Sequence, residues 1–279
     1  MKKIFLTILT VALICAFTLS FVGCTPSTPD DTIVIGASST PHAEILEQIR
    51  ADLEAEGFKL DIKIYTDYVL PNTALEDGSL DANYFQHTPY LNDFNKNNGT
   101  HILSVEKIHY EPFAVYGKNV SKEDFEATKT GRTILIPDDG TNCTRALLVL
   151  RDNGYITLKD GVKPSDSLSD KDIVDNNGNT VVLVAAENVP AQLNNANAGT
   201  IAVINGNYAL EANLDVKTAL AVENASGDAA QLYANIIAVK EGNENSAKTK
   251  ALIKALKTQK VFNYITEHYN GAVLPVFTV

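Results

Sequence analysis

The chain has 279 residues, an apolar content of 45% and a formal net charge of −11 at pH 7. A chain this acidic repels a phosphate backbone, which excludes nucleic acid as an expected partner. The apolar content is sufficient for the core of one large domain or of two smaller lobes. Of the three cysteines, only Cys143 lies beyond residue 24, so no internal disulfide is expected.

The first 23 residues have the pattern of an export signal, with Lys2 and Lys3 followed by an uncharged, mostly apolar stretch at 4–21. This stretch is roughly long enough to cross a bilayer, so an uncleaved membrane anchor and a plain secreted protein are alternatives. The segment 21–24, Phe-Val-Gly-Cys, resembles the lipobox of bacterial lipoproteins. That resemblance implies a lipidated Cys24 on the extracytoplasmic side of the cell membrane, followed by a polar tether at 24–31.

From Thr32 onward, β-branched runs alternate with helical patterns, which predicts an α/β protein with largely parallel sheets. The strands are expected at 32–36, 59–66, 133–136, 180–185, 201–204 and 234–239. The helices are expected at 41–56, 71–76, 145–151, 190–198 and 246–268. Residues 159–179 are rich in Asp and Asn and are expected to form an irregular surface excursion.

Aromatic side chains are concentrated in the segment 82–90. In an extended chain the side chains alternate, so Phe85 and His87 would share one face while Tyr84 and Gln86 share the other. A histidine on this face can also be a core residue that makes one hydrogen bond. The alternation therefore indicates one aromatic face without deciding what covers it.

Two more rings are expected near that face. Pro89 suits the start of a helix capped by Thr88, which would place Tyr90 at the same opening, and Tyr68 lies at another strand-to-helix junction. Ligands of α/β sheets bind outside the carboxyl ends of strands, so these rings indicate an apolar pocket. Ordinary core packing under a loop is the alternative.

A candidate anion site lies where a strand runs into a helix at 137–145. A cation in the first helical turn opposes the helix dipole, so Arg145 carries a cost that a bound anion would remove. Free backbone N–H groups, Asn142 and a guanidinium with two parallel N–H donors are suited to a carboxylate. Alternatively, Arg145 faces solvent or pairs with Asp138 or Asp139.

The sequence motifs of common enzymes do not occur: there is no nucleophile elbow, zinc-protease helix, P-loop or C-x-x-C. The candidates for a base or nucleophile are His87 and Cys143, whose thiol at a helix start can be acidified. We therefore expect a protein that is not an enzyme and uses no cofactor or metal. An enzyme or a surface antigen on the same fold is the alternative.

Several motifs together resemble the NlpA family of lipoproteins, and most closely its methionine-binding importer subunits. The resemblance runs from about Ile33 to Pro275. It is carried by residues 36–46, 67–75, 80–90, 141–142, 145–148, 202–209 and 233–235. Cys143, between the family's Asn and Arg, and the segment 227–233 depart from the family pattern.

The resemblance implies a two-lobed periplasmic-binding-protein fold, type 2-like, with the ligand in a cleft between lobes. Residues 32–115 plus 233–279 would form lobe I, and residues 116–232 would form lobe II. The family's function implies a monomeric, extracytoplasmic substrate-binding protein of an ABC importer, which delivers L-methionine to a permease driven by a cytoplasmic ATPase. Alternatives are another small amino acid or a methionine-containing dipeptide.

The resemblance also assigns roles to residues. The thioether would lie among Tyr68, Phe85, His87 and Tyr90. Arg145, with Asn142 beside it, would bind the carboxylate. Asn205 and Asn235 would bind the ammonium, so amides rather than an acidic residue would receive the positive end. Asn205 followed by Gly206 is also a common turn pair, which is the alternative for that residue.

Overall fold

The structure, a computed structural model, describes residues 31–224 and 227–279. The signal segment 1–23, Cys24 and nearly all of the tether 24–31 lie outside the described residues. Residues Ile33–Val279 form one compact unit. Within the described ranges, no helix combines the length and the apolar character needed to cross a bilayer.

The elements of this unit alternate along the chain, with bounds as follows. The strands are β1 (Thr32–Ala37), β2 (Lys59–Ile64), β3 (Ala82–His87), β4 (Ile102–Tyr110), β5 (Ala114–Gly117), β6 (Thr133–Pro137), β7 (Thr157–Leu158), β8 (Ile173–Asp175), β9 (Thr180–Val184), β10 (Ile201–Ile204), β11 (Ala221–Val222), β12 (Asn235–Lys240) and β13 (Leu274–Pro275). The α-helices are α1 (Glu44–Glu47), α2 (Arg50–Ala55), α3 (Leu70–Glu76), α4 (Thr88–Asn98), α5 (Lys122–Ala127), α6 (Gly140–Asp152), α7 (Val189–Asn195), α8 (Gly206–Glu211), α9 (Gly227–Leu232), α10 (Ala247–Leu256) and α11 (Gln259–His268).

Two sheets organise the chain, as predicted for the α/β class. Sheet I has the strand order β13-β4-β12-β3-β1-β2, and sheet II has the order β11-β5-β10-β6-β9. The strands β7 and β8 form a separate small pair. The chain passes from sheet I to sheet II between β4 and β5 and returns between β11 and β12.

The expectation of largely parallel sheets is wrong. The pairs β1–β3, β6–β9 and β6–β10 are parallel, whereas β12 is antiparallel to both β3 and β4 and β5 is antiparallel to β10. The strands β5 and β12 are those with which the chain enters a new sheet. A strand buried on both faces shows the same continuous apolar run in either direction, so the sequence does not report its orientation.

Each sheet has an apolar core on both faces. On sheet I, the side chains of α1, α2, α10 and α11 pack on one face, and a smaller cluster that includes Leu75 and Leu91 covers the other. On sheet II, α6 packs on one face and α7 with α8 on the other. These layers hold the strand ends, where the candidate site lies, in fixed positions.

Two of the predicted helices are interrupted. The region expected as one helix at 41–56 consists of a π-helical turn, Ser39–Ala43, followed by α1 and α2. The region expected at 246–268 breaks at Lys257, whose ψ is 58°, and α11 begins with its own cap because Thr258 accepts a hydrogen bond from the Val261 N–H. The apolar spacing continues across such breaks, so periodicity alone does not reveal them.

Candidate functional site

One cavity between the two sheets is lined by all eight predicted ligand-binding side chains. Its side chains pack closely, and its volume is about 20 Å³, which is enough for about one ordered water molecule. The predicted lining residues are Tyr68, Phe85, His87, Tyr90, Asn142, Arg145, Asn205 and Asn235. Five further lining residues were not predicted: Gln86, Glu111, Phe113, Gly206 and Asn207.

The cavity lies at the carboxyl ends of strands. Tyr68 follows β2, His87 ends β3, Asn142 lies in the helix after β6, and Asn205 directly follows β10. Glu111 follows β4 in the same way. This is the position at which open α/β sheets bind ligands, because loops and helix starts converge there while the strands fix their geometry.

Three rings form the apolar end of the cavity. The centroid of Tyr68 lies 5.8 Å from that of Phe85 and 5.7 Å from that of Tyr90. The hydroxyl of Tyr90 donates to the Tyr68 carbonyl oxygen at 2.9 Å, and the hydroxyl of Tyr68 donates to Asn207 Oδ1 at 2.5 Å. With both hydroxyls bonded within the protein, the ring faces remain as apolar surface.

The predicted alternation along β3 separates two environments. Phe85 and His87 line the cavity, whereas Tyr84 is packed in the core of sheet I, where its ring centroid lies 4.7 Å from that of His42. Gln86 only partly fits the pattern, because it lines the cavity while its amide nitrogen donates to Asn72 Oδ1.

His87 also begins the next helix, which corrects the expected cap. Its Nδ1 accepts a hydrogen bond from the Tyr90 N–H at 3.2 Å, so His87 is the N-cap of α4 and Thr88 is the first helical residue. Its Nε2 therefore carries the proton and donates to Asn142 Oδ1 at 3.2 Å. Burial, assisted by the Arg145 charge, lowers the pKa of His87 to about 3, so the ring is neutral.

The start of α6 differs from the expected anion site. The helix begins at Gly140, so Arg145 is its sixth residue and lies in the second turn rather than the first. Asp139 caps the helix by accepting the Asn142 N–H at 2.9 Å and the Asn142 side-chain amide at 3.0 Å. That backbone N–H is therefore already bonded within the protein, because Asp is itself a strong N-cap residue.

Arg145 is buried and paired with Glu223, not with solvent, Asp138 or Asp139. Its Nε lies 2.9 Å and its Nη2 2.5 Å from the Glu223 carboxylate, and Nη2 also donates to the Glu111 carbonyl oxygen at 2.7 Å. Burial opposes ionisation of Glu223, but the guanidinium outweighs burial and holds the pKa of that carboxyl below its usual value.

Rings enclose the guanidinium as well. The Arg145 Cζ lies 4.1 Å from the Phe113 centroid and 4.4 Å from the Tyr233 centroid. These distances are within the range of cation–π attraction, which strengthens when the cation is removed from water. The hydrogen bonds described above use Nε and Nη2, and none of them uses Nη1.

Two buried amide atoms in the cavity lining have no hydrogen-bond partner among the described residues. They are Asn205 Oδ1, an acceptor, and Asn207 Nδ2, a donor. Each such atom costs about 1–3 kcal/mol when it is buried unpaired. A small ligand that carries both a donor and an acceptor would satisfy them together.

Three buried groups near the cavity offer atoms of the kind that bind metals: His42, His109 and Glu111, with these atoms within 4.8 Å of one another. His109 Nε2, however, lies 2.7 Å from Glu111 Oε1. Ligand atoms around a tetrahedral ion are about 3.3 Å apart, given metal–ligand distances near 2 Å. The geometry therefore fits a hydrogen bond better than shared coordination.

Some lining residues and their partners were not predicted, and they differ in whether a local sequence signal could have indicated them. Glu111 is an acidic side chain directly after a strand, and Asn207 lies within the motif 202–209, so both had a positional signal. Glu223 directly follows the short strand β11 in the same way, but nothing local linked it to Arg145, which lies 78 positions away. Arg145 and Glu223 meet only because the segment between β11 and β12 packs against α6.

Comparison with known proteins places this chain in a family. Residues 33–277 match the family model described as NlpA lipoprotein. The chain is 36% identical to the methionine-binding lipoprotein MetQ of Bacillus subtilis (strain 168), over 99% of each chain. Its fold is similar to the crystal structure of a lipoprotein from Ruminococcus gnavus (46% identity, TM-score 0.82, 88% of this chain and 100% of that one). It is also similar to a nutrient binding protein from Burkholderia cenocepacia bound to methionine (34% identity, TM-score 0.80, 88% and 100%). The chain belongs to the NlpA lipoprotein family.

Proposed function

We propose that this protein is the substrate-binding lipoprotein of an ABC importer and that it binds methionine in the cavity between its two sheets. The observation that carries the proposal is a single small cavity with an apolar ring end and a polar end containing a guanidinium, a carboxylate and two unpaired amide atoms. Two relatives are named for methionine, the Bacillus subtilis lipoprotein and the methionine-bound Burkholderia cenocepacia protein.

The ring end suits a thioether. Tyr68, Phe85 and Tyr90 present ring faces and edges around one opening. Each contact between sulfur and an aromatic ring contributes about 0.3–1.5 kcal/mol, and His87, being neutral, adds no charge to this end. A side chain that ended in a charge would have no partner there among the lining residues.

The polar end suits a zwitterion. We propose that the ligand carboxylate accepts hydrogen bonds from Arg145 Nη1 and from Asn207 Nδ2, which lies unpaired in the lining. Asn205 Oδ1 would accept from the ammonium, as would Asn235 Oδ1. Asn142 would act through His87, because both of its amide atoms already bond to Asp139 and His87.

The two lobes are proposed as residues 32–115 plus 233–279 and residues 116–232. The sheet order supports crossings between β4 and β5 and between β11 and β12. Side chains of the two proposed lobes bond directly across the cavity, as Tyr68 does to Asn207 and His87 to Asn142. We propose that ligand binding closes the lobes by a hinge motion, which commits the cargo to a permease driven by a cytoplasmic ATPase.

The proposal includes no chemistry on the cargo. Both ring nitrogens of His87 are engaged in hydrogen bonds, and Cys143 lies in the core of sheet II, where burial raises the pKa of its thiol to about 12. Neither group is a ready base or nucleophile at neutral pH. Methionine incubated with the protein should be recovered unchanged by mass spectrometry, and a new product would contradict this part of the proposal.

Isothermal titration calorimetry on the chain from Thr25 to Val279 tests the central claim. L-Methionine, D-methionine, glycyl-methionine and leucine should each be titrated, and native mass spectrometry should look for retained cargo. We expect saturable one-to-one binding of L-methionine and a mass increment that methionine displaces. Absence of both heat and thermal stabilisation with methionine would contradict the proposal, and preferential binding of the dipeptide or of leucine would replace the ligand.

The anchor is a separate proposal. We propose that Cys24 carries the lipid and holds the protein on the extracytoplasmic face of the cell membrane as a monomer. In a lipoprotein-processing host, the full chain should sediment with membranes, whereas Cys24→Ser should lose lipid labelling. Equal incorporation of labelled fatty acid into both chains would contradict the assignment.

A further inference from the structure

A chain of hydrogen bonds runs from the core of sheet I to Asn235 in the cavity lining. Ser38 Oγ lies 2.6 Å from His42 Nδ1, and His42 Nε2 lies 3.0 Å from Asn235 Oδ1. An amide oxygen only accepts, so His42 Nε2 must carry the proton and Ser38 must donate to Nδ1. The direction of donation is therefore fixed toward the oxygen that lines the cavity.

A second chain runs beside the first and ends on Glu111. The hydroxyl of Tyr84 bonds to His109 Nδ1, and His109 Nε2 lies 2.7 Å from Glu111 Oε1. Burial raises the pKa of Tyr84 well above its usual value and lowers that of His109 to about 3, so a protonated hydroxyl meets a neutral ring. With Nδ1 accepting, Nε2 carries the proton, and donation again runs toward the cavity.

The two chains converge on one side of the cavity. His42 Nε2 lies 3.5 Å from Glu111 Oε1, which joins them, and the unpaired Asn205 Oδ1 lines the same cavity. These donors orient the Asn235 amide and the Glu111 carboxylate, and each oxygen keeps a further lone pair for a ligand. Of the three oxygen-bearing side chains on this side, Glu111 and Asn235 already accept from imidazole N–H groups, and only Asn205 Oδ1 has no donor among the described residues.

The charges nearby leave Glu111 without a full counter-charge. Arg145 is matched by Glu223 at hydrogen-bond distance and bonds only the main-chain carbonyl of Glu111. Burial raises the pKa of the Glu111 carboxyl, and the charge of Arg145 and the Asn207 N–H offset that effect only in part. His42 and His109, the rings next to Glu111, are neutral because burial lowers the pKa of each, to about 4 and about 3. A buried carboxylate in this position is costly unless a cation neutralises it.

Gly206 gives this carboxylate access to the cavity. A Cβ at that position would lie 2.6 Å from both Glu111 Cβ and Glu111 Oε2. Separations below 3.0 Å do not occur for real Cβ atoms, so any side chain at 206 would displace Glu111. The glycine is therefore required by the close approach of Glu111 and not by its own backbone conformation.

We propose that Glu111 is the counter-charge for the α-ammonium of the cargo and that Tyr84 and His109 are positioning residues that hold it. The inference rests on the proposed function and narrows it to a class of cargo: molecules with a free, protonated amine next to a carboxylate. The expected cradle of amides alone is thereby extended by an acidic residue. Analogues with a hydroxyl or an acylated nitrogen in place of the amine are rejected.

The test compares L-methionine with its 2-hydroxy analogue, which keeps the thioether and the carboxylate but replaces the ammonium by a hydroxyl. Calorimetry gives the ratio of their Kd values in the wild-type chain and in Glu111→Gln. We expect Glu111→Gln to shrink this ratio by roughly 10- to 150-fold, the range for a hydrogen bond to a charged group. Affinity for methionine should fall, while affinity for the hydroxy analogue should change little.

Three further variants separate charge from structure. Glu111→Asp keeps the charge and should retain most of the ratio, and Tyr84→Phe, which removes only the donor to His109, should shrink it by less than Glu111→Gln does. Glu76→Gln is the control, because Glu76 is a half-buried carboxyl that does not line the cavity, and its bonds within the described residues do not involve Glu111. Its ratio should equal that of the wild-type chain.

The outcomes are distinguishable. Equal losses for both ligands in Glu111→Gln would assign Glu111 a structural role and overturn the inference. If Glu111→Gln does not fold, the ratios in Glu111→Asp and Tyr84→Phe decide, and wild-type ratios in both would overturn it. Failure of the wild-type chain to bind methionine at all would instead contradict the proposed function.

Discussion

The ring end and the polar end of the cavity are built in different ways. The rings of Tyr68, Phe85 and Tyr90 all come from strand and helix ends of sheet I, close together in sequence. The polar end combines Arg145 of α6 and Asn205, which follows a strand of sheet II, with two residues from elsewhere. These are Glu111, between β4 and β5, and Asn235, the first residue of β12 in sheet I. The apolar end is thus a property of one sheet, whereas the polar end exists only where both sheets meet.

This difference assigns different tasks to the two ends. Apolar contact selects a side chain by size and surface, and each contact contributes a modest free energy. Buried charges contribute more, and they also cost more when they are left without a partner. Changes at the polar end should therefore affect both folding and binding, and changes at the ring end mainly selectivity.

The largest expected effect is at Arg145. Arg145→Met leaves Glu223 buried without its partner, so we expect the free energy of unfolding to fall by about 3–5 kcal/mol. The double change Arg145→Met with Glu223→Leu removes both charges and should regain most of that loss, while methionine binding stays absent. Urea denaturation and calorimetry measure the two effects. If the stability of Arg145→Met lies within 1 kcal/mol of the wild-type value, Glu223 does not depend on Arg145 for its counter-charge.

The neutral histidines at the polar end predict a pH dependence of stability. The pKa of His42 is about 4 in the folded chain against 6.5 for an ordinary histidine, because burial disfavours its charged form. Between these values the unfolded chain binds the additional proton, so stability is lost as the pH falls from 6.5 toward 4. The contribution of His42 has a slope of about 1.4 kcal/mol per pH unit.

The variant His42→Gln isolates this slope. Glutamine can donate to Asn235 and accept from Ser38 as the imidazole does, but it does not titrate. Over this pH range, the stability of the variant should fall less steeply than that of the wild-type chain. Glu111, whose pKa is raised by burial, acts in the opposite direction and lies 3.5 Å from His42, so the comparison is repeated with Glu111→Gln in both chains, where only His42 differs. If stability falls with pH equally steeply in both chains, His42 is already charged in the folded state, which would contradict the prediction.

Many of the side chains that line the cavity were predictable from the sequence, whereas their bonding partners at the polar end were not, for a physical reason. Alternation along β3 and the strand-end positions are local patterns, and the side chains they indicated, Phe85, His87 and Tyr68, line one cavity in the structure. Arg145 was predicted from its place near a helix start as well as from family motifs, Asn235 was predicted from family motifs alone, and both line the cavity. The partners of these residues, Glu223 and His42, depend on contacts between distant segments that no local pattern records.

The errors in predicted helix caps and in strand direction also arise because local sequence patterns do not record the contacts that decide them. His87 accepts the N–H that a threonine hydroxyl was expected to accept, and Asp139 moves the start of α6 five residues before Arg145. Several side chains can satisfy the same backbone donor, so the sequence limits the choice without deciding it. The antiparallel direction of β12 likewise follows from where the chain returns to sheet I.

A smaller effect tests the ring end. Phe85→Leu keeps an apolar side chain of similar reach but removes one aromatic face from the thioether. We expect the preference for methionine over norleucine, which has a methylene in place of sulfur, to fall by up to about tenfold, the upper value for one sulfur–aromatic contact. Stability should change by less than in Arg145→Met. An unchanged preference by calorimetry would separate Phe85 from the thioether.

The smallest expected effect is at Cys143, which lies between Asn142 and Arg145 on the same helix. Its side chain turns into the core of sheet II, where it is 1% exposed, and burial raises the pKa of its thiol to about 12. In the chain from Thr25 onward Cys143 is the only cysteine, so its alkylation reports on the native state directly. We expect iodoacetamide at pH 8 to label it only as fast as the chain unfolds. Cys143→Ala should change the Kd for methionine by less than about twofold, since the thiol does not line the cavity. Fast labelling that methionine blocks would instead place the thiol at the polar end, and the division between that end and the core of sheet II would have to be redrawn.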